Sequence, residues 1–375
     1  MASTATQTDS SPIVVKEGDK LVGEIAAERF PMPLFTDDDY HLSESWYCEG
    51  VPRGGNAPRA DAMATQAPDG TIYVSYQHPK VLIVHKSADR GRTWEKVDVI
   101  QPPPNHQYGN VYAFGAVPDG SLVVMYSGRL VPSPRWTVDQ SDPAWAAFGR
   151  NGWTHFAKST DGGVTWHFMH QADQGDAKNV QGLGQIKTLA DGSVIASATL
   201  CTEDGHHADH FWRSTDGGQT FKLSNAISHH SAETKIAQLP SGRIIAAVRT
   251  VYSDYHDERN KRTAMITSDD NGQTWSEHVM LTTEIGDCPG EFVALPDGRC
   301  VFLYCKRYTP AAIVARVSPD GGETWNPQTL LVRQMEGENP GVYPSSLLLD
   351  DQTILTVSST HEGTPPQAIR WNLPD

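Results

Sequence analysis

The sequence predicts an all-β chain folded as a six-bladed β-propeller of four-stranded antiparallel blades. Two internal repeats predict it. The first is an eight-residue motif, Ser-x-Asp-x-Gly-x-Thr-Trp, found at Ser87–Trp94, Ser159–Trp166, Ser214–Phe221, Ser268–Trp275 and Ser318–Trp325. Its copies start 72, 55, 54 and 50 residues apart, and a period near 50 falls in the range of about 40–50 residues expected of propeller blades. The second is a strand–turn–strand unit ahead of each motif. Its turns are Pro68-Asp69-Gly70, Pro118-Asp119-Gly120, Ala190-Asp191-Gly192, Pro240-Ser241-Gly242, Pro296-Asp297-Gly298 and Asp350-Asp351-Gln352, which makes six units.

Each part of the motif suits a tight hairpin. Asp accepts hydrogen bonds from nearby backbone N–H groups, Gly supplies a positive φ, and the terminal aromatic anchors the turn in its blade. The 32 glycines, 25 prolines and 10 tryptophans fit a turn-rich β chain. The sixth unit has no eight-residue motif, and the chain ends soon after Ala368-Ile369-Arg370-Trp371. Closing the ring therefore calls for an N-terminal strand in the last blade, for example Ile13-Val14-Val15, which leaves no open sheet edge. Residues 1–11 read as a disordered N-terminus and 12–375 as one propeller domain.

Lys and Arg total 30 against 45 Asp and Glu, a net charge of −15. That balance disfavours nucleic acid and anionic membranes as partners, because both are polyanions. It leaves room for a small anion held by a local arginine cluster. Met1 to Ser11 is polar, with no apolar core for a signal peptide, and no run of about 18 apolar residues occurs. The compartment is left open, since a leader can be removed. The five cysteines, Cys48, Cys201, Cys288, Cys300 and Cys305, form no C-x-x-C pair and read as buried thiols, with a disulfide as the alternative in an exported form.

The strand order identifies the functional face. With strands A to D running outward from the axis, the Asp-Gly turns are A–B and the eight-residue motifs are C–D, so both lie on one face. The B–C loops and the starts of the A strands lie on the other. The long segments fall there: Ser127 to Gly152 in blade two, Cys201 to Asp209 in blade three and Val251 to Lys261 in blade four. Aligning the six units on their turns places Arg59, Gly109, Gln181, Ser231, Asp287 and Gly341 at one offset, and Asp61, Val111, Leu183, Glu233, Pro289 and Tyr343 two residues later. Arg249 and Arg307 end or follow B strands on the same face, with Tyr112, Gln185, Glu291 and His78 as further rim candidates. Arginines bind a carboxylate through paired hydrogen bonds, so this set suits an anionic sugar.

These residues, with the repeated motif, resemble the sialidase superfamily, whose repeat is the Asp-box. The resemblance covers roughly residues 55–372. It implies a retaining exo-glycosidase with a tyrosine nucleophile, the exception to the usual pair of carboxylates. Arg59 stands where that family begins its first inner strand, though Ile-Pro is replaced by Ala60-Asp61. Glu233 and Arg249 match its glutamate and second arginine, Arg307 its third arginine (with Arg316 the alternative), and Tyr343 its nucleophile. The family's blade-one acid/base aspartate has no counterpart in the short Gln77-His78-Pro79-Lys80 segment. Asp61 or His78 stands in for it.

Other readings share the fold. One is a glycosidase pairing Glu233 with Glu291 on a neutral sugar such as arabinose; another is a polysaccharide lyase; a third is a non-catalytic glycan-binding propeller. Trp136, Trp145 and Trp153 are candidates for sugar stacking. His206, His207, Asp209 and His210 meet no known metal-ligand spacing, and no cofactor is expected. The expected partner is a carbohydrate.

Overall fold

The computed structural model describes residues 13–17, 20–25, 27–33, 62–78, 81–100, 106–130, 153–171, 178–181, 184–201, 207–251, 261–282, 287–307, 311–335, 343–349, 353–358 and 367–374. The five motifs fold alike, and their hydrogen bonds explain their residue types. The Ser159 hydroxyl donates to Asp161 Oδ1 at 2.8 Å and accepts the Gly163 N–H at 2.8 Å. Asp161 also accepts the Thr165 N–H at 2.9 Å and the Thr165 hydroxyl at 2.5 Å. The Trp166 indole N–H donates to the Gly163 carbonyl at 3.0 Å. The other four copies repeat the Ser–Asp, Gly–Ser and Thr–Asp contacts. The A–B turns close by a second device. In the first, Gly70 N–H donates to the Ala67 carbonyl while Asp69 accepts the Thr71 N–H.

These turns join strands into six sheets. The chain starts with β1 (Ile13–Glu17), β2 (Lys20–Ile25) and β3 (Ala27–Pro31). Blade one is β4 (Ala62–Gln66), β5 (Ile72–His78), β6 (Val81–Ser87) and β7 (Glu95–Ile100). Blade two is β8 (His106–Ala116), β9 (Leu122–Leu130), β10 (Trp153–Ser159) and β11 (His167–Gln171). Blade three has a divided inner strand, β12 (Lys178–Gln181) and β13 (Ile186–Thr188), followed by β14 (Val194–Cys201), β15 (His207–Ser214) and β16 (Lys222–His229). Blade four is β17 (Ser231–Gln238), β18 (Ile244–Thr250), β19 (Thr263–Ser268) and β20 (Val279–Met280). Blade five is β21 (Asp287–Ala294), β22 (Cys300–Lys306), β23 (Ala312–Ser318) and β24 (Gln328–Gln334). Blade six is β25 (Ser345–Leu348), β26 (Thr353–Ser358) and β27 (Gln367–Asn372), with β3 as its outer strand. All pairings are antiparallel, and the described residues contain no helix, hence none long and apolar enough to cross a membrane.

The ring is closed by an N-terminal strand, but not the one expected. Ala27–Pro31 pairs with β27, whereas Ile13–Glu17 lies against β24 and extends blade five outward with β2. One further expectation shifts: Asp209, expected at the end of the blade-three loop, lies within β15. The N-terminal segment 1–11 and the sixth A–B turn at 350–352 lie outside the described residues.

The core is divided among six apolar clusters, one between each pair of neighbouring blades. Met63, Phe114 and Val124 pack between blades one and two; Ala113, Ile186 and Trp212 between two and three; Ile195, Ile236 and Ala264 between three and four. Phe292, Ala247 and Phe302 fill the next interface, Leu303, Ile354 and Ile369 the fifth, and Ala62, Val74 and Leu355 the one that closes the ring. The motif aromatics Trp94, Trp166, Phe221, Trp275 and Trp325 each pack into the interface with the preceding blade. The motif therefore fastens blades together as well as capping hairpins. Cys300 and Cys305 are buried on β22 of blade five.

Candidate functional site

The site is built on an irregularity at the start of β17. Ser231 and Ala232 pair with Thr250 and Arg249 of β18, but the register shifts before Lys235 meets Ala247. Glu233 falls in this bulge with φ of +58°. A left-handed backbone at a residue with a side chain costs on the order of 1–3 kcal/mol and needs support from its surroundings. A bulge also redirects side chains. Here it brings the Glu233 carboxylate to Arg249, whose Nη1 lies 2.8 Å from Oε2.

Tyr343, just ahead of β25, donates its hydroxyl to Glu233 Oε1 at 3.1 Å. Arg307, which follows β22, donates from Nη2 to the Tyr343 hydroxyl oxygen at 3.2 Å, with its guanidinium carbon 5.7 Å from the ring centroid. Glu233, Arg249, Arg307 and Tyr343 come from blades four, five and six, and all are buried. Four of the expected residues thus form one connected group. The arrangement can take a proton from a phenol and hold negative charge between two guanidinium groups.

A second charged group lies beside the first. Lys235 Nζ donates to the Pro344 carbonyl at 2.5 Å and sits 3.5 Å from Glu291 Oε2. It therefore ties β17 to the residue after Tyr343. Lys187 on β13 faces Glu291 and Lys235; burial brings its ammonium down to about 8, against the pull of Glu291. Glu291, expected on the rim, is buried against Lys235 instead of standing at an opening. Gln185 is buried, and its backbone N–H donates to Ser197 Oγ at 3.3 Å. Arg316 points elsewhere, donating to the Leu281 and Asn326 carbonyls.

Arg59, Asp61, Trp136 and Trp145 lie outside the described residues. His78 and Tyr112 lie on β5 and β8, where only the backbone is described. In the histidine-rich segment, Asp209 turns to the hydroxyls of Thr199 and Thr234, while His210 Nδ1 contacts the Ser224 carbonyl. Asp209, Thr199, Thr234 and Lys235 were not among the expected site residues.

The family described as BNR repeat-like domain matches residues 136–356. A sialidase of Bacteroides fragilis (strain YCH46) is 25% identical over 293 residues, covering 72% of this chain and 52% of its own. The chain thus spans about half the length of the curated relatives it matches. Among solved structures, a Hadza microbial sialidase superposes with a TM-score of 0.62 at 19% identity, covering 83% of this chain and 65% of that one. An α-L-arabinanase of Penicillium chrysogenum in complex with arabinobiose superposes at 0.58 with 13% identity, covering 84% and 93%. At these identities the structural likeness establishes the propeller fold, which enzymes named for two different sugars share.

Proposed function

We propose, from the premise that the chain belongs to the BNR repeat-like domain family, that it is a retaining exo-glycosidase releasing a terminal acidic sugar of the sialic acid class. The observation that carries this reading is the buried contact of the Tyr343 hydroxyl with Glu233 on one side and Arg307 on the other. The sialidase names of its curated relatives support the same substrate class.

In this reading the Tyr343 oxygen attacks the anomeric carbon as its proton passes to Glu233. The glycosidic C–O bond breaks, and Asp61, or His78 in its place, protonates the leaving oxygen. Water then displaces Tyr343 from the sugar, giving up a proton to Asp61 (or His78), which restores that acid, and Glu233 returns its proton to the phenolate. A neutral nucleophile suits a sugar whose anomeric carbon already carries a carboxylate, because a carboxylate nucleophile would be repelled. Arg249 fixes the Glu233 carboxylate, and Arg249, Arg307 and Arg59 bind the sugar carboxylate. Tyr112, Gln185 and Trp136 are assigned to the rest of the substrate. Glu291 is held by Lys235, which counts against pairing it with Glu233 as a second catalytic carboxylate.

The test is release of the sugar from an aryl sialoside. Tyr343→Phe and Glu233→Gln are each expected to lower kcat/KM by at least about 100-fold, the usual scale for losing a nucleophile or its base. If the unaltered protein leaves aryl sialosides intact at mildly acidic and neutral pH, the reading fails.

A further inference from the structure

A buried carboxylate beside the bulge has no part in the chemistry above. Asp209 on β15 is fully buried within blade three. Its Oδ1 accepts the Thr199 hydroxyl at 2.6 Å and its Oδ2 the Thr234 hydroxyl at 2.6 Å. Both partners adjoin one residue. Thr234 follows Glu233 in the chain, and Thr199 Oγ1 accepts the Glu233 N–H at 3.1 Å. The contacts cross from β14 and β15 of blade three to β17 of blade four.

We infer that Asp209 is a positioning residue for Glu233: its carboxylate gathers the hydroxyls around the bulge and so holds the glutamate against Tyr343. This rests on the reading of Glu233 as the base. The choice of residue follows from the hydrogen-bond count. Two hydroxyl donors from neighbouring blades converge on one point, and a carboxylate accepts both without carrying a donor of its own that would need a partner. The arrangement has a cost. Burial pushes the Asp209 carboxyl up to about 6 in spite of the hydroxyls, and the charge on Glu233 adds to that. A group kept there against both burial and like charge fits a positioning role better than simple packing.

The inference is tested on the full chain with Asp209→Asn, Thr199→Val and Thr199→Ser, by crystal structure and by kinetics on an aryl sialoside. In Asp209→Asn and Thr199→Val, Glu233 is expected to leave its left-handed conformation and lose its hydrogen bond to Tyr343. For these two variants kcat falls about 10- to 100-fold while KM stays within about threefold, as expected when a reacting group is displaced rather than a substrate contact removed. Thr199→Ser, which keeps the hydroxyl, retains both the geometry and the rate. If Glu233 keeps its conformation and its Tyr343 contact in both disruptive variants, the inference is overturned, whatever the rates. Should Asp209→Asn not fold, Thr199→Val decides on the same criterion. If the unaltered protein releases no sugar, the glycosidase reading falls, and the position of Glu233 in the variant structures still decides the role of Asp209.

Discussion

Glu233 and Arg249 are both withdrawn from water, so their 2.8 Å contact differs in kind from a surface pair. Each is tolerable inside the protein because the other is present. Removing one partner leaves an uncompensated buried charge, which typically costs about 3–5 kcal/mol. Arg249→Met is therefore expected to lower stability by about that amount, read as a fall in the urea midpoint, besides abolishing activity. The same contact shows what was legible at this scale. Glu233 and Tyr343 share one offset from the repeated turns, and Arg249 and Arg307 end or follow B strands, so blade geometry alone puts the four on one face. The contacts of Asp209 are not legible in the same way, because its partners, Thr199 and Thr234, lie on two strands of different blades. No spacing rule within one strand signals such a convergence. For Glu291 the offset gives the strand and the height along it, but not the neighbouring Lys235 that pairs with its carboxylate.

The repeated turn governs behaviour at the level of the hairpin. Asp89, Asp161, Asp216, Asp270 and Asp320 are all held below the ordinary carboxylate range. For Asp161, partial burial works against this, but the Thr165 hydroxyl and N–H and the Ser159 hydroxyl bring it down to about 2. A carboxylate that is more acidic in the folded chain stabilises the fold above its unfolded pKa, about 3.9, and ceases to do so as pH falls through its folded value. Acid unfolding is thus expected to set in below about pH 4 and to steepen towards about pH 2, as followed by tryptophan fluorescence. Asp→Asn in single motifs should weaken the pH dependence stepwise. These turns were plain in the sequence because their chemistry is local. The strand that completes blade six was not. Ile13-Val14-Val15 is the more apolar run, yet Ala27–Pro31 takes the place because it serves two interfaces at once. Ala27 joins the cluster shared with blade five, and Phe30 the cluster shared with blade one.

At the scale of the whole ring, six apolar interfaces share the core, and the inner strands meet closely around the axis. One close approach between blades is at Gly115 on β8, where a Cβ would lie 2.2 Å from the Ile186 carbonyl oxygen of blade three. That neighbour is backbone and has little room to yield. Gly115→Ala is expected to destabilise the protein by about 1–3 kcal/mol, seen as a lower urea midpoint with spectra otherwise native. Blade number was readable from the repeats, since each interface requires one more copy of the same unit. The seam itself has a mechanical consequence. β3 runs antiparallel to β27, with Ala27 opposite Trp371 and Pro31 opposite Gln367. Tension applied at Ala27 and Asn372 therefore loads the pair at one end. The rungs part in sequence, from Ala27 and Trp371 towards Pro31 and Gln367, instead of sharing the load in shear. Under traction, the strand that completes the circle is the first to peel.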